Sequence, residues 1–462
     1  MQDLNKIEQV YFLGIGGIGM SALARYFKHL GKSVSGYDRV ETELTRRLQD
    51  EGIHVHYADD PKILPPGISP DNTLVVLTPA VPSSHREYCF LKENNFSIKK
   101  RSQVLGMICN PLHCIAVSGT HGKTSVSTMI AHILKNSSLD CSAVLGGISK
   151  NYQTNLLLSG KETPFIVTEA DEFDRSFLQL QPTMAVVTSI DPDHLEIYGS
   201  HEAIIEAFNQ FVAQVKPGGV ALVKKGLKIS KSSNQYIRHY SYSLSEQADF
   251  YAPDIRLKEG AYQFNLFTPD GIIPDLVLNY PGLMNVENAV AASAMALMAG
   301  AGEEEVKAAL ATYQGVKRRF DIHLRTGKYI LIDDYAHHPE ELKATITSVR
   351  DMFKGAIVTG IFQPHLFSRT SDLADDFAQS LDLLDEIVLL DIYPAREEPI
   401  PGVTSDVIFQ KLKKNNKVRC SKAELPELAK SFKPGVVLMM GAGDIDTMVE
   451  RVETVLTEKE HA

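Results

Sequence analysis

Residues 114–134 read CIAVSGTHGKTSVSTMIAHIL: an apolar run, a loop with two glycines, then Val126, Met129, Ile130, Ile133 and Leu134 at helical spacing. Strand, glycine loop and helix in that order predict an α/β unit whose loop meets phosphate, because free backbone N–H groups and the positive helix end both face it. The loop, Gly119-Thr120-His121-Gly122-Lys123-Thr124-Ser125, contains the Gly-Lys-Thr of a P-loop but has Val117 where the strict pattern places its first glycine. The chemistry is still served. Amides cup phosphate oxygens, Lys123 brings a point charge to the β/γ region, and the Thr124 hydroxyl can ligate Mg2+.

Upstream, residues 10–27 (VYFLGIGGIGMSALARYF) repeat the arrangement, with Leu23, Tyr26, Phe27 and Leu30 expected on the packed face of the helix. Gly14, Gly16, Gly17, Ile18 and Gly19 lie in a G-x-G-x-x-G loop, and Asp38 ends the next strand, 24 residues after Gly14. This is a diphosphate-binding fingerprint in its proper context, although the glycines do not distinguish NAD from another nucleotide.

Downstream of the second loop, one strand runs into Glu169-Ala170-Asp171-Glu172-Phe173-Asp174 and another into Asp191-Pro192-Asp193-His194. In a parallel sheet these strand ends flank the phosphate loop, so Glu169 and His194 are expected to face a triphosphate and its cation. Read alone, four acids in six residues are more often a solvated loop and a lone His after a Pro turn more often a satisfied surface group; the loop upstream gives them work. Between about 217 and 280 the pattern shortens to alternating runs with turn residues, which predicts hairpins grafted onto the second domain. Four further apolar runs then end in Gly, Asp or His and predict another parallel sheet. Asp333-Asp334-Tyr335-Ala336-His337-His338 and His365-Leu366-Phe367-Ser368-Arg369 sit at its strand ends, where His and Arg suit an anionic substrate or acyl-phosphate.

The chain of 462 residues has 44% hydrophobic and 23% charged residues, which fits folded globular domains rather than a disordered or fibrous chain. Its net charge of −10 argues against a nucleic-acid partner. Five cysteines without metal-type spacing read as reduced thiols. No basic and apolar leader precedes the first loop, and the longest small or apolar stretch, 289–301, is too short for membrane insertion, so a cytoplasmic location is expected. The fold class is α/β, with three domains in series. Residues 1–107 form a Rossmann-like domain, 108–316 a central P-loop-type ATPase domain, and 317–462 a second Rossmann-like domain.

In its ordered motifs GIGGIGMSALA, SGTHGKTS, EADEFDRSF, DPDHLEIYG, PGLMNVENAVAA, GVKRRFD, DDYAHHP, FQPHLFSRT and GAGDID, the chain resembles the Mur ligase family. These are ATP-dependent amide-forming enzymes of peptidoglycan precursor synthesis. The resemblance implies UDP-N-acetylmuramate and L-alanine as substrates, ATP and Mg2+ as cofactors, and a third domain that brings in the amino acid. It implies that Gly14, Gly16, Gly17, Ile18, Gly19 and Asp38 hold the sugar nucleotide, and Gly119 to Ser125 the ATP phosphates. Thr124, Glu169 and His194 would bind the metal, and Asn285, Asn288, Arg319 and Asp334 the adenosine. Tyr335, His337, His365 and Arg369 would hold the lactyl carboxylate or alanine, with Lys123, Glu169, His194, His337, His365 and Arg369 forming the catalytic group.

Two positions depart from the family pattern: Met284 precedes Asn285 where His is common, and Leu366 stands where many members carry Arg. Residues 195–215 contain no lysine, in keeping with the alanine-adding branch, whose members lack the carbamylated lysine of their sister ligases. The runner-up within the family attaches a preformed peptide to the same sugar nucleotide. An NAD-dependent dehydrogenase accounts for the first loop and Asp38 but leaves the second loop and acidic cluster without work. A non-catalytic sensor would bind UDP-sugar without ATP turnover. The sequence leaves monomer and homodimer equally open.

Overall fold

The computed structural model describes residues 6–161, 165–230, 236–258, 260–395 and 397–461. It divides into two compact units, one of residues 1–255, 264–276 and 288–313, the other of residues 256–263, 277–287 and 314–462.

The first unit opens with strands β1 (Gln9–Leu13), β2 (Ser33–Tyr37), β3 (His54–His56), β4 (Thr73–Leu77) and β5 (Ser97–Lys100), which form a parallel sheet in the order β3-β2-β1-β4-β5. Direction of winding reverses between β1 and β4, and that switch point is where an open α/β sheet leaves a crevice at its carboxyl edge. Register puts Leu13 beside both Tyr37 and Leu77, and Leu77 beside Lys100, so the loops after β1, β4 and β5 all leave from one row. The helix Ile18–His29 follows β1 and buries Met20, Leu23, Ala24 and Phe27. Leu30, expected on that face, instead caps the helix and is exposed, because the chain turns at Gly31 (φ +74°).

A second sheet in the same unit contains β6 (His113–Ser118), β7 (Cys141–Ser149), β8 (Thr154–Leu157), β9 (Phe165–Ala170), β10 (Met184–Val187), β11 (Val220–Lys224), β12 (Arg238–Ser243) and β13 (Phe250–Tyr251). Their order is β13-β12-β11-β10-β6-β9-β7-β8. β6 lies between β9 and β10, with Ser118 in register with Ala170 and Val187, so both acidic motifs leave the sheet beside the phosphate loop. The expected hairpins are only partly present: β11, β12 and β13 continue the parallel sheet, and in this region antiparallel pairing enters with β15 (Ala261–Thr268), which pairs β13 and β14 (Arg256–Lys258) and has β16 (Gly271–Leu278) beside it. Short strands flanked by turns carry the same local signature in either arrangement. Helix Lys123–Lys135 is buried nearly throughout, between sheet and neighbouring helices, including Val126, Met129, Ile130, Ile133 and Leu134.

The second unit holds the sheet β17-β18-β22-β19-β20-β21, formed by Asp321–Arg325, Tyr329–Asp334, Gly435–Met440, Ile357–Phe362, Glu386–Leu389 and Lys417–Arg419 in that spatial order. All neighbours are parallel except the antiparallel edge strand β17, which the four apolar runs do not reveal. Alternation along β22 sends Val436, Leu438 and Met440 into one core and Val437 and Met439 into the other. Asp334, Met440, Phe362 and Leu389 form one row, so the motifs that follow β18, β19 and β22 share one edge.

Candidate active site

The second glycine loop is a cradle with no room for side chains. A Cβ on Gly119 (φ +142°) would lie 2.0 Å from Thr188 Oγ1, and Gly122 takes φ +83° to start the helix at Lys123. Ser189 braces the loop: its Oγ accepts the His121 N–H at 2.7 Å and lies 2.9 Å from Thr120 Oγ1, while Thr120 Oγ1 also accepts the Asp191 N–H at 3.0 Å. The Thr120 hydroxyl thus ties the loop to the segment leading to His194. Thr124 and Ser125 open the helix and are buried.

Lys123 Nζ donates to Gly119 O at 2.5 Å and to both Glu172 oxygens at 2.9 and 2.8 Å. Burial alone would lower the Lys123 ammonium, but Glu172 and Asp171 outweigh it and hold the group above its ordinary range. Burial pushes the Glu172 carboxyl up to about 7 against the pull of Lys123. The proton of this pair therefore stays on lysine. Glu172 is one of four acids in the cluster 169–174, and nothing local in the sequence tells which of them turns inward.

Glu169 Oε1 accepts the Gly146 N–H at 3.0 Å. A Cβ on Gly146 would lie 2.2 Å from Glu169 Oε2, so the carboxylate needs glycine on the neighbouring strand β7. His194 takes φ +55°, its N–H bonds Asp193 Oδ1, and its ring meets Phe173 edge-on at 5.1 Å between centroids. Tyr198 Oη donates to Glu172 O at 2.7 Å, a second tie between the two acidic motifs. Asn288 faces the loop from helix Leu283–Ala299: a Cβ on Gly122 would lie 3.2 Å from its Oδ1.

The Thr124 hydroxyl and the Glu169 carboxylate are oxygen donors of the kind that fit Mg2+, which binds through one or two carboxylates and completes its shell with water and substrate phosphates. Among the described residues no three His, Cys, Asp or Glu side chains converge.

At the first loop, Gly14 (φ +88°) and Ile15 both donate to Tyr37 O at 2.9 Å. Asp38 Oδ2 accepts the Gly16 N–H at 2.7 Å, so the carboxylate fixes the loop's shape. Gly17 caps the helix, and the Ile18 carbonyl accepts from Ser21 Oγ and Asn155 Nδ2. Gly19 packs against Arg101, a residue absent from the sequence expectations.

In the second unit Asp334 is buried, with Oδ2 accepting the Phe320 N–H at 2.7 Å and Oδ1 the Ala336 N–H at 2.8 Å; burial raises its carboxyl despite Arg319 nearby. Its observed work is to brace the backbone on either side of β18. Arg319 and Arg318 stack on the Tyr335 ring at 4.8 and 5.0 Å, and Arg318 also bonds the Gly441 carbonyl at 2.6 Å. His337 Nδ1 donates to Tyr335 O at 3.0 Å, with Glu341 Oε2 at 3.1 Å, and its ring meets His365 edge-on at 5.9 Å. His365 stacks on Tyr393. Leu366 is buried with φ +70°, and Arg369 is buried in the helix that follows. Asn285 Nδ2 donates to Pro281 O at 2.5 Å. Tyr335, His337 and His365 therefore form one strand-end cluster, and Arg369 lies in the helix that follows β19.

Family models match in the same order as the sheets. Residues 9–112 match "Mur ligase family, catalytic domain", 117–296 "Mur ligase middle domain", and 318–443 "Mur ligase, glutamate ligase domain". A chain with two phosphate-type glycine loops and these three matched regions belongs to the Mur ligase family. It is 51% identical over 458 residues to a UDP-N-acetylmuramate–L-alanine ligase of Parabacteroides distasonis, covering 99% of each chain. It is 47% identical over 459 residues to one of Phocaeicola vulgatus, covering 99% of this chain and 100% of the other. Among solved structures, a UDP-N-acetylmuramate-alanine ligase of Thermotoga maritima superposes with a TM-score of 0.81 at 26% identity, covering 98% and 99% of the two chains.

Proposed function

We propose that this chain joins L-alanine to the lactyl carboxylate of UDP-N-acetylmuramate at the expense of ATP, in peptidoglycan precursor synthesis. The carboxylate attacks the γ-phosphate to give an acyl-phosphate and ADP; the alanine amine then attacks the acyl carbon, and the tetrahedral intermediate expels phosphate. The observation that carries the reading is the meeting of Lys123, Glu172 and Glu169 at adjacent strand ends, in a chain 51% identical over 458 residues to an alanine-adding ligase.

Bringing a carboxylate to a triphosphate joins two anions. The glycine-loop amides and the Lys123 ammonium offset that repulsion and stabilise charge on the transferring oxygens. Thr124, Glu169 and His194 would hold Mg2+, which when bound neutralises the β- and γ-phosphate oxygens. Gly14, Gly16, Gly17, Ile18, Gly19 and Asp38 form the sugar-nucleotide loop. Asn285, Asn288, Arg319 and Asp334 are assigned to adenosine, and Tyr335, His337, His365 and Arg369 to the lactyl carboxylate or alanine. The functional blocks are divided near residues 107 and 316; the first border falls within helix Arg101–Cys109.

Among the described residues no helix is long and apolar enough to cross a membrane; the cytoplasmic location proposed for the chain rests on its likeness to the alanine-adding ligases. The test offers alanine and a tripeptide in equal concentration with ATP and UDP-N-acetylmuramate, and weighs the products by mass spectrometry. The alanine adduct is expected; a predominant tripeptide adduct would transfer the chain to the peptide-attaching branch.

A further inference from the structure

Arg101 is the first residue beyond β5. Lys100 shares its row with Leu77 and Leu13, so the next positions, Arg101, Thr78 and Gly14, line the carboxyl edge where the first glycine loop opens. The guanidinium lies on that loop: a Cβ on Gly19 would sit 3.0 Å from Arg101 Nη1 and 3.5 Å from Cζ. Its other terminal nitrogen, Nη2, donates to Asp171 Oδ2 at 3.1 Å. Asp171 stands two residues after Glu169 and one before Glu172, and its charge helps hold the Lys123 ammonium. Next to it, Lys100 Nζ donates to Asp174 Oδ2 at 2.7 Å. Two consecutive cations at the end of β5 therefore pair with the acidic segment that follows β9, beside the second phosphate loop. Asn155 adds a fully buried tie from β8, donating to Ile18 O at 2.6 Å and Ser21 Oγ at 3.0 Å at the start of the first loop's helix.

A guanidinium is planar, permanently charged and carries five donors in a fixed fork, so its two ends can serve two anions at once. Here the ends face different loops. We propose that Arg101 is a positioning residue that bridges the diphosphate of the sugar nucleotide to Asp171, coupling occupancy of the first glycine loop to the acidic segment that holds Lys123. The proposal rests on the sugar-nucleotide reading of that loop. A diphosphate bound there fixes the fork, the fork fixes Asp171, and Glu169 and Glu172 on the same short segment lose freedom before ATP binds. The coupling is positive, and reciprocal by linkage.

The test measures, by calorimetry, the affinity of a non-hydrolysable ATP analogue with and without saturating UDP-N-acetylmuramate, and then the reverse. The intact chain is expected to bind the analogue about tenfold tighter when the sugar nucleotide is present, within the range of ordinary coupling. Asp171→Asn keeps shape and leaves Arg101 to the diphosphate. It should hold UDP-sugar affinity within about twofold while the coupling ratio falls toward one. Arg101→Lys, which keeps charge but loses the fork, should lose the ratio as well, with circular dichroism confirming that both variants fold. A ratio unchanged in folded Asp171→Asn, or absent in the intact chain, overturns the bridge. Failure of the intact chain to bind UDP-N-acetylmuramate at all would overturn the reading of the loop, and the bridge with it.

Discussion

The Lys123 ammonium lies 2.8 Å from the Glu172 carboxylate, and Glu172 is only 2% exposed, so the lysine of the phosphate loop carries a buried counter-ion of its own. Removing one partner of a buried pair leaves the other charge uncompensated. Glu172→Gln should therefore lower stability by about 3 kcal/mol in nucleotide-free urea unfolding. Phosphates supply the missing negative charge, so ADP should stabilise the variant more than the wild type. Equal nucleotide stabilisation of both proteins would show that Lys123 does not turn to the phosphates.

The carboxylate of Glu169 depends on a glycine across the sheet. In Gly146→Ala the new methyl falls where Glu169 Oε2 lies. The half-saturating Mg2+ concentration for phosphate release should rise about tenfold or more, as expected when a ligand's support is lost, and Glu169→Gln should do the same. An unaltered magnesium requirement in both variants would remove Glu169 from the metal site.

The two glycine loops should separate by mutation. A side chain at Gly16 would meet Thr45 Cγ2 at 2.7 Å and Asp38 Oδ2 at 2.8 Å. Gly16→Val should weaken UDP-sugar binding by about tenfold or more while sparing the ATP analogue, because the intrusion disturbs only the first diphosphate cradle. Equal loss of both ligands in calorimetry would speak against separate sites.

Much of this was legible in the sequence because it is local. The strand, loop and helix at 114–134, the glycine loop at 14–19 and the strand-end motifs each carry their own signature. What pairs across the sheet is not local. Arg101 and Asp171 are 70 positions apart and stand beside different sheets, and the packing of helix Arg101–Cys109 against the segment Phe173–Gln179 brings them together. Inward turning of Glu172, the dependence of Glu169 on Gly146 and the parallel pairing of β11 to β13 are likewise set by tertiary neighbours. Leu30 fitted the helical spacing, yet the helix ends one residue before it.

A buried acid in the first sheet gives a pH signature. Glu87 is 0% exposed, accepts the Tyr11 Oη–H at 2.5 Å, and Tyr11 Oη also lies 2.8 Å from His56 Nε2. Burial pushes the Glu87 carboxyl up to about 7; the Tyr11 and Asp60 N–H bonds pull it down, and the Asp59 and Asp60 charges push it up. Burial lowers His56, which acts in the opposite sense, so the wild type alone would mix the two. Between its unfolded value near 4.3 and its folded value, Glu87 binds more protons in the folded chain, so its contribution is lost as pH rises through that window. The stability of Glu87→Gln relative to wild type should improve from pH 4 to pH 8, by on the order of 3 kcal/mol. A pH-independent difference between the two unfolding curves would place the carboxyl in its ordinary range.

The most direct test of the central claim is phosphate release from ATP with Mg2+, UDP-N-acetylmuramate and L-alanine supplied together and then each omitted in turn. Full turnover should require all of them. Lys123→Ala should retain less than about a tenth of the wild-type rate, a barrier change above ~1.4 kcal/mol, while still binding UDP-N-acetylmuramate. Release that proceeds without alanine, or a Lys123→Ala variant that turns over at more than about a tenth of the wild-type rate, would contradict the assignment of residues 119–125 as the ATP loop of an alanine-adding ligase.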